Sequence, residues 1–308
     1  MLKKLLIGLA GTTLIAGAAC AGELKSVGVT LDSMGNPFYV SMQKGVVDRA
    51  KQLNPNMKVT VVSADYDLNK QSTQIDNFIA SKVDLILVNA ADPQAILPAI
   101  KRAKAAGIPV VAIDVIAAGA DATVQTDNVK AGRLACEYLS QRLGGKGKVI
   151  IMNGPPVSSV LDRVRGCKET LAKGKFEIIS DNQDGKGSRD GGMAVAQTLM
   201  TRFPQFDGIF AVNDQEAVGA DLAAKQLNRS GVVIVSVDGA PEIVGALKSQ
   251  TLVQGSAAQD PYVMAIKALD VGNGLVSTGK APANPTLMLE PTLLTRDNVA
   301  TYKGWGAH

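Results

Sequence analysis

Histidine is nearly absent from this sequence, in which His308 is the only one among 308 residues. A Ser-His-Asp triad, a histidine general base or a metal site with several histidines is therefore hard to build. Residues 185–188 have the order Gly-Lys-Gly-Ser, which differs from the Gly-Lys-Ser/Thr order of a phosphate-binding loop. We therefore expect a protein that is not an enzyme and that needs no cofactor.

A calcium-binding loop is only partly present. Asp65, Asp67 and Asn69 have the spacing of its first ligands, but Lys70 occupies the position that requires glycine. Asp76 likewise stands where the loop needs a bidentate glutamate. Calcium binding is a weak alternative, and we expect no metal site.

Neither sign of charge dominates the chain, which has 32 Lys and Arg against 28 Asp and Glu. Without the two lysines at positions 3 and 4 the balance is 30 against 28, a net charge near +2. Proteins whose main partner is nucleic acid are typically far more basic, so we expect no such partner. The content of 46% hydrophobic and 19% charged residues is typical of a soluble globular protein, and the length allows two domains.

Only one apolar segment is long, and it lies at residues 5–19 after the two lysines. The small-residue site Ala-Cys-Ala at 19–21 follows, and the combination predicts a signal peptide over residues 1–21. Acylation of Cys20 in a lipoprotein is the alternative, although Gly17 stands where a larger aliphatic residue is usual. No other apolar run approaches the roughly 20 residues of a membrane helix. We expect an exported, periplasmic protein.

Cysteine is scarce as well. Beyond the signal segment only Cys136 and Cys167 remain, and an oxidising compartment would allow them to pair. A disulfide requires that the two Cα atoms lie within about 7 Å of each other, a distance that sequence alone does not give. The sequence therefore allows either a disulfide or two free cysteines.

Residues 27–53 predict a strand, a loop and an amphipathic helix in that order. They begin with an apolar run too short for a buried helix, and after the loop Asn36 is a good N-cap and Pro37 suits the first helical position. Phe38 and Tyr39 then fall in the first helical turn, beside the carboxyl end of the strand, where open parallel sheets bind ligands. The alternative is that both rings only pack the helix onto its sheet.

The rest of the chain repeats this alternation of apolar strands and helices. Strands are predicted at residues 27–31, 59–64, 85–90, 109–114, 122–127, 149–153, 176–181, 208–213, 232–238, 253–259 and 286–294. Strands that are apolar throughout and alternate with helices indicate a parallel sheet covered on both faces. We predict the α/β class, with two doubly wound parallel-sheet lobes.

Each predicted lobe is discontinuous in sequence. The first lobe comprises residues 24–126 and 260–287, and the second comprises residues 127–259 and 288–308. The chain would cross between the lobes at each of these boundaries, the last of them in a predicted strand around Leu287. Several short crossings suit a hinge between the lobes.

Four predicted strands end in Asn or Asp, namely at Asn89, Asp114, Asn213 and Asp238. In open parallel sheets such ends line the ligand-binding crevice. The alternative is that these residues cap the next helix or form turns, which suits Asp214. That alternative explains Asp114 poorly, because a glycine-containing loop rather than a helix follows it.

An arginine at the start of the second lobe's first crossover helix is a further candidate for the ligand-binding crevice. Arg163 follows the loop at residues 153–159, and Arg165 faces about 200° around the same helix. We expect one of the two to point into the crevice and the other into solvent. Asp, Asn, Gln and one Arg beside aromatic rings suit a neutral polyhydroxylated ligand, because hydroxyl groups need both donors and acceptors.

Over nearly the whole chain after the signal segment, these motifs resemble the ribose-binding class of periplasmic sugar-binding proteins. These are type I binding proteins that deliver ligands to ABC importers. The resemblance implies a set of ligand-binding residues: Asn36, Phe38, Tyr39, Asn89, Asp114, Arg163, Asn213, Asp238 and Gln259. Two departures from the family pattern stand out. Val115 replaces an arginine, and Gly187 lies near the place of an aromatic residue in the second lobe.

The resemblance implies a monomeric protein that closes on a small sugar or polyol and presents it to a permease in the inner membrane. Because Val115 and Gly187 remove a donor and a ring, we expect D-ribopyranose not to be the best ligand. The alternative function is an exported receptor for a sugar-derived signal such as autoinducer, or chemotaxis sensing of a sugar. A sugar-responsive repressor of the same fold would carry a DNA-binding head in place of the export signal.

Overall fold

A computed structural model describes residues 22–306 and shows two six-stranded sheets covered by helices. The expected signal peptide and His308 lie outside the described residues. Within this range no helix is long and apolar enough to cross a membrane. The first sheet with its helices is called the first lobe below, and the second sheet with its helices the second lobe.

The chain builds the two sheets in succession and then returns to both. The first series is β1 (Ser26–Leu31), α1 (Pro37–Leu53), β2 (Lys58–Ser63), α2 (Leu68–Ala80), β3 (Leu85–Val88), α3 (Leu97–Ala105), β4 (Val110–Ile113) and β5 (Ala122–Thr126). The second is α4 (Asn128–Arg142), β6 (Lys146–Asn153), α5 (Ser158–Leu171), β7 (Lys175–Asp184), α6 (Arg189–Arg202), β8 (Gly208–Ala211), α7 (Asp214–Gln226), β9 (Val233–Asp238), α8 (Pro241–Lys248) and β10 (Val253–Ala258). The return comprises α9 (Pro261–Thr278), β11 (Thr286–Leu289), β12 (Thr292–Thr295) and a short 3-10 helix (Val299–Thr301).

The two sheets have the same strand order in corresponding positions. The first is ordered β11-β5-β4-β3-β1-β2 and the second β12-β10-β9-β8-β6-β7. All pairings are parallel except that of β10 with β12, which is antiparallel. The predicted α/β class is confirmed, with one antiparallel edge strand in the second lobe as the difference.

The predicted strand at residues 286–294 is wrong in one respect, since it is two strands. β11 pairs with β5 of the first sheet up to Leu289, and β12 pairs with β10 of the second. Glu290 and Pro291 separate them, and a proline cannot donate a ladder hydrogen bond. The third crossing therefore follows Leu289 rather than Leu287. The division of the chain into lobes that move as units stays a prediction.

Helices α4 and α5 pack closely because both carry glycine at the contact. A Cβ on Gly132 would lie 2.0 Å from the Arg163 carbonyl oxygen, and one on Gly166 would lie 2.0 Å from that of Val129. Buried between the same helices, Cys136 and Cys167 form a disulfide with their Cα atoms 5.1 Å apart. The open question about these cysteines is thus answered, and the helix that carries Arg163 is fixed by packing and by a covalent bond.

Candidate functional site

The predicted site residues lie where the carboxyl ends of the strands of both sheets face each other, a space called the cleft below. Each of them is at most 8% exposed: Asn36, Phe38, Tyr39, Asn89, Asp114, Arg163, Asn213, Asp238 and Gln259. Three of the first-lobe strands that end here, β1, β3 and β4, are neighbours in the sheet. The sheet order therefore brings together residues that are far apart in sequence.

Asn36 joins the two lobes. Its Oδ1 accepts a hydrogen bond from the Phe38 N–H at 2.9 Å, so it is the predicted N-cap of α1. Its Nδ2 donates to the Gly187 carbonyl oxygen of the second lobe at 3.1 Å. One side chain thus serves local structure and a contact across the cleft.

Asn89 and Asp114 form a buried pair on neighbouring strand ends. The Asn89 Nδ2 donates to the Ile113 carbonyl at 3.0 Å and to Asp114 Oδ2 at 3.2 Å. Asn89 Oδ1 and Asp114 Oδ1 are buried and accept no hydrogen bond from any described residue. Burial raises the pKa of Asp114 to about 6, although the nearby Arg163 charge lowers it. Both free oxygens are available to a hydroxyl donor.

Asp114 has a left-handed backbone with φ of +69°. This conformation is uncommon for residues with a Cβ and is several-fold enriched in aspartate. Strained residues of this kind cluster at ligand-binding sites, where the surrounding structure holds them. The loop after β4 is therefore constrained at the residue whose carboxylate faces the cleft.

A chain of hydrogen bonds connects the lobes through Gln259. The Thr126 hydroxyl donates to Gln259 Oε1 at 2.6 Å, and Gln259 Nε2 donates to Asp238 Oδ1 at 2.7 Å. The same carboxylate oxygen lies 3.2 Å from Arg163 Nη1. Burial raises the pKa of Asp238, although the Arg163 charge lowers it. This series of hydrogen bonds begins at Thr126, next to the first predicted crossing, and ends at Arg163, a predicted cleft residue.

Arg163 is the arginine that points into the protein. Besides Asp238, its Nε donates to Asn128 Oδ1 at 2.9 Å and its Nη1 donates to the Val212 carbonyl at 2.9 Å. Arg165 is exposed and pairs with Asp162 on the surface. The sequence-based expectation of one inward and one outward arginine is thereby confirmed.

Asn213 and Asp214 have clear structural roles. Asn213 caps α7, since its Oδ1 accepts from the Glu216 N–H at 2.9 Å. Asp214 accepts from the hydroxyls of Ser236 and Ser256 at 2.5 and 2.7 Å and from the Ala240 N–H at 2.7 Å. The cap of α7 is therefore Asn213, and not Asp214 as the capping explanation expected; Asp214 is the first residue of the helix and accepts from three donors. Ligand contact by Asn213 stays a prediction.

Phe38 and Tyr39 belong to a buried aromatic group. Their rings are edge to face at 5.4 Å, and Phe38 meets Trp305 edge to face at 5.9 Å. The Tyr39 and Tyr66 hydroxyls are 3.3 Å apart. Both rings pack α1 onto the first lobe, as the structural alternative stated, and their contact with a ligand stays a prediction.

The comparison with known proteins gives the family. A family model described as a periplasmic binding protein domain matches residues 27–281. The chain belongs to the periplasmic binding protein family. It is therefore a binding protein and not an enzyme.

Two curated relatives and one solved structure are similar to this periplasmic binding protein over most of its length. The ribose import binding protein of Bacillus subtilis is 31% identical over 256 residues, covering 82% of this chain and 81% of the relative. The xylitol-binding protein of Mycolicibacterium smegmatis is 30% identical over 298 residues, covering 95% and 84%. A crystal structure of an ABC transporter solute-binding protein from Mycobacterium smegmatis with bound glycerol has 25% identity and a TM-score of 0.85, covering 93% and 99%.

Sequence reasoning missed two aromatic residues of this binding protein. Trp305 donates from Nε1 to the Asp238 carbonyl at 3.0 Å while its ring meets Phe38, so a segment after β12 touches both lobes. A Cβ atom added to Gly187 would lie 3.2 Å from the Tyr66 hydroxyl oxygen. A first-lobe tyrosine thus lies next to Gly187 of the second lobe.

Two buried acids were also missed. Asp32 follows β1 directly, is fully buried, and neither of its carboxylate oxygens accepts a hydrogen bond from a described residue. Glu216 in α7 accepts from the Gly187 N–H at 2.9 Å through Oε1, while Oε2 has no such partner. Asp32 ends an apolar strand as Asp114 does, so the strand-end pattern could have found it. Glu216 has no comparable local signal.

Val115 is fully buried. It belongs to an apolar cluster that includes Ile96 of the first lobe and Val157 and Val160 of the second. The next residue, Ile116, donates from its N–H to the Ser158 hydroxyl at 2.8 Å. Val115 is thus a core residue next to a hydrogen bond that joins the two lobes.

Proposed function

We propose that this protein captures a small sugar or polyol in the cleft between its lobes and delivers it to the permease of an ABC importer. The observation that carries the proposal is the set of buried polar side chains that the two lobes present to one cleft. Asn89 Oδ1 and Asp114 Oδ1 are acceptors without a partner among the described residues. Buried polar atoms are rarely left without hydrogen bonds, and a hydroxyl donor would satisfy both.

The names of the relatives support the ligand class. Ribose and xylitol appear in the names of two curated relatives, and glycerol is bound in the solved structure. Two of these three compounds are linear polyols. With Val115 in an apolar contact, the first lobe offers no guanidinium at that place, so a polyol or a differently shaped sugar should bind more tightly than D-ribopyranose.

Closure of the two lobes would couple binding to delivery. Because Asn36 and Gly187 meet across the cleft, the structure has the lobes in contact at the site. A ligand held by both lobes favours the closed state through its higher affinity for that state. We propose a monomer in the periplasm, exported through the signal peptide at residues 1–21, whose closed form the permease recognises.

A panel of pentoses, hexoses and linear polyols tests the proposal by thermal shift and calorimetry. A ligand present at about 100 times its Kd should add roughly 2.7 kcal/mol to the free energy of unfolding. Loss of uptake of the best ligand in cells that lack this protein would connect binding with transport. A panel in which no sugar or polyol binds would contradict the proposed ligand class.

A further inference from the structure

The carboxyl group of Asp32 has no structural partner. It is fully buried, and both oxygens lack a hydrogen bond from any described residue. Its backbone carbonyl accepts a hydrogen bond from the Ser63 hydroxyl at 3.2 Å. Burying an ionisable group without a partner is costly, so such a group points to a ligand-binding role rather than to stability.

Asp32 lies beside the residues already placed in the cleft. It follows β1, which pairs with β3, and β3 pairs with β4, so Asp32, Asn89 and Asp114 end neighbouring strands. Burial, and after it the Asp114 charge, raises the pKa of Asp32. Burial followed by the Asp32 charge raises the pKa of Tyr66. The Asp32 carboxyl group is therefore close enough to Asp114 and to the tyrosine to interact with both electrostatically.

The free hydrogen-bonding atoms of the cleft are nearly all acceptors. Among residues 22–306, seven buried side-chain atoms lack a hydrogen bond. Five of the seven are oxygens of four residues at the cleft: Asp32, Asn89, Asp114 and Glu216. When these acids are ionised, a ligand that fills this site has to supply more donors than acceptors.

The ionisable groups buried at the cleft are mostly acidic. Asp32, Asp114, Glu216 and Asp238 contribute four buried carboxyl groups. Arg163 is the only buried Lys or Arg in the part of the chain that the structure describes, and it already contacts Asp238. Within that part, no group of three or more His, Cys, Asp or Glu could hold a metal ion. If these carboxyl groups are ionised, the cation that balances them has to come with the ligand, whereas protonated carboxyl groups need no such cation.

We propose that the preferred ligand is a polyhydroxylated compound bearing a protonated amino group, and that Asp32 and Asp114 receive this group. A primary ammonium has three donors and no acceptor, and its charge offsets that of the two carboxylates. The inference rests on the proposed function, because it specifies the ligand of the same cleft. The competing explanation is that Asp32 and Asp114 are protonated and the ligand is neutral, in which case an amine brings no advantage.

Matched pairs of ligands separate the two explanations. We would measure by calorimetry at about pH 7 the affinity of D-glucitol against D-glucamine and of D-glucose against D-glucosamine, which differ by one hydroxyl-to-amine exchange. We expect the amine to bind at least about tenfold more tightly in one or both pairs, as a charge-assisted bond allows. In Asp32→Asn this ratio should fall below about threefold. Asp162→Asn, which removes a partly exposed carboxylate that pairs with Arg165 on the surface, should leave the ratio unchanged.

The outcomes distinguish this inference from the proposed function. Equal or weaker binding of the amine in both pairs, with a neutral member still bound, overturns the inference and leaves the proposed function intact. An unchanged ratio in Asp32→Asn overturns the role of Asp32. Absence of binding by all four compounds, together with failure of the wider sugar and polyol panel, overturns both. If Asp32→Asn does not fold, the ratios in the wild-type protein decide the ligand class.

Discussion

Asn36 of the first lobe donates a hydrogen bond from Nδ2 to the backbone oxygen of Gly187 in the second lobe over 3.1 Å. The same side chain caps α1 through its Oδ1. Two roles in one residue make it possible to separate closure of the cleft from stability of the helix.

Asn36→Ser should weaken ligand binding with little effect on stability. Serine is as good an N-cap as asparagine, but its hydroxyl is too short to reach Gly187. We expect the loss of one hydrogen bond, about 1 kcal/mol, or roughly fivefold in Kd by calorimetry. Asn36→Ala should show the same loss of affinity and, in addition, a free energy of unfolding lower by about 1 kcal/mol. Wild-type affinity in the serine variant would show that the bond does not contribute to binding.

Asp114→Ala and Asp238→Ala should each weaken ligand binding at least about tenfold, because a charge-assisted hydrogen bond contributes roughly 1.5–3 kcal/mol. Their effects on folding should differ. Asp238→Ala leaves the buried Arg163 without its carboxylate, a change that costs about 3–5 kcal/mol of stability. Asp114→Ala instead removes one of several neighbouring buried carboxyl groups, so it should not lower the free energy of unfolding in this way. Urea denaturation measures the second effect, and Asp162→Ala, at a partly exposed carboxylate paired with Arg165, serves as a control. Unchanged affinity in both variants would refute the proposed cleft.

The free energy of unfolding should fall as the pH rises from about 4 to about 7. The folded state raises the pKa of Asp114 from 3.8 to about 6 through burial, so between these values it holds a proton that the unfolded chain has released. Stability from this group is therefore full below the unfolded pKa and is lost as the pH passes the folded pKa. Asp114→Asn should be more stable than wild type at about pH 8, by up to roughly 3 kcal/mol, and equally stable near pH 4. The difference between the two proteins isolates Asp114 from other buried acids, and a constant difference across the range would contradict the assignment.

Phe38→Leu should weaken ligand binding by about three- to tenfold if the ring stacks on the ligand, since such contacts contribute roughly 0.5–1.5 kcal/mol. Leucine keeps much of the apolar volume, so the loss of stability should stay below about 1.5 kcal/mol. Phe206→Leu is a matched control, because Phe206 is buried in the second lobe against Arg229. Equal ligand affinity in both variants would indicate that Phe38 only packs α1.

The lobes should close about the three places where the chain changes sheet, at residues 126–128, 258–261 and 289–292. Hinges are short segments that absorb backbone rotation, and each of these is three or four residues long. Small-angle scattering should give a smaller radius of gyration with a saturating ligand than without it. Identical scattering curves with and without ligand would contradict the proposed closure of the lobes.

Strand-end residues were predictable because parallel sheets bring their carboxyl ends to one edge. Asn89, Asp114 and Asp238 could be placed by this rule without any knowledge of distances. Asp32 obeys the same rule but begins a loop rich in turn residues, which draws attention to turn formation instead. The strand-end rule, applied to every strand, would therefore have predicted Asp32 as well.

The residues that escaped prediction depend on long-range arrangement. Trp305 reaches Phe38 and Asp238 only because the chain crosses between sheets a third time, after Leu289. Tyr66 lies in a loop with a left-handed backbone, φ +58°, which directs it toward Gly187 of the other lobe. Neither position has a local periodicity or a capping pattern from which such contacts follow.

The bond between Cys136 and Cys167 ties the shape of the cleft to the compartment in which the protein works. It closes a loop with a sequence separation of 31 residues, and a loop of this length restricts the unfolded chain by roughly 3–4 kcal/mol. In a reducing cytoplasm this contribution is missing. For the exported chain that we propose, the reduced form would be easier to keep unfolded before it crosses the membrane, and oxidation afterwards would join the helix of Arg163 covalently to α4.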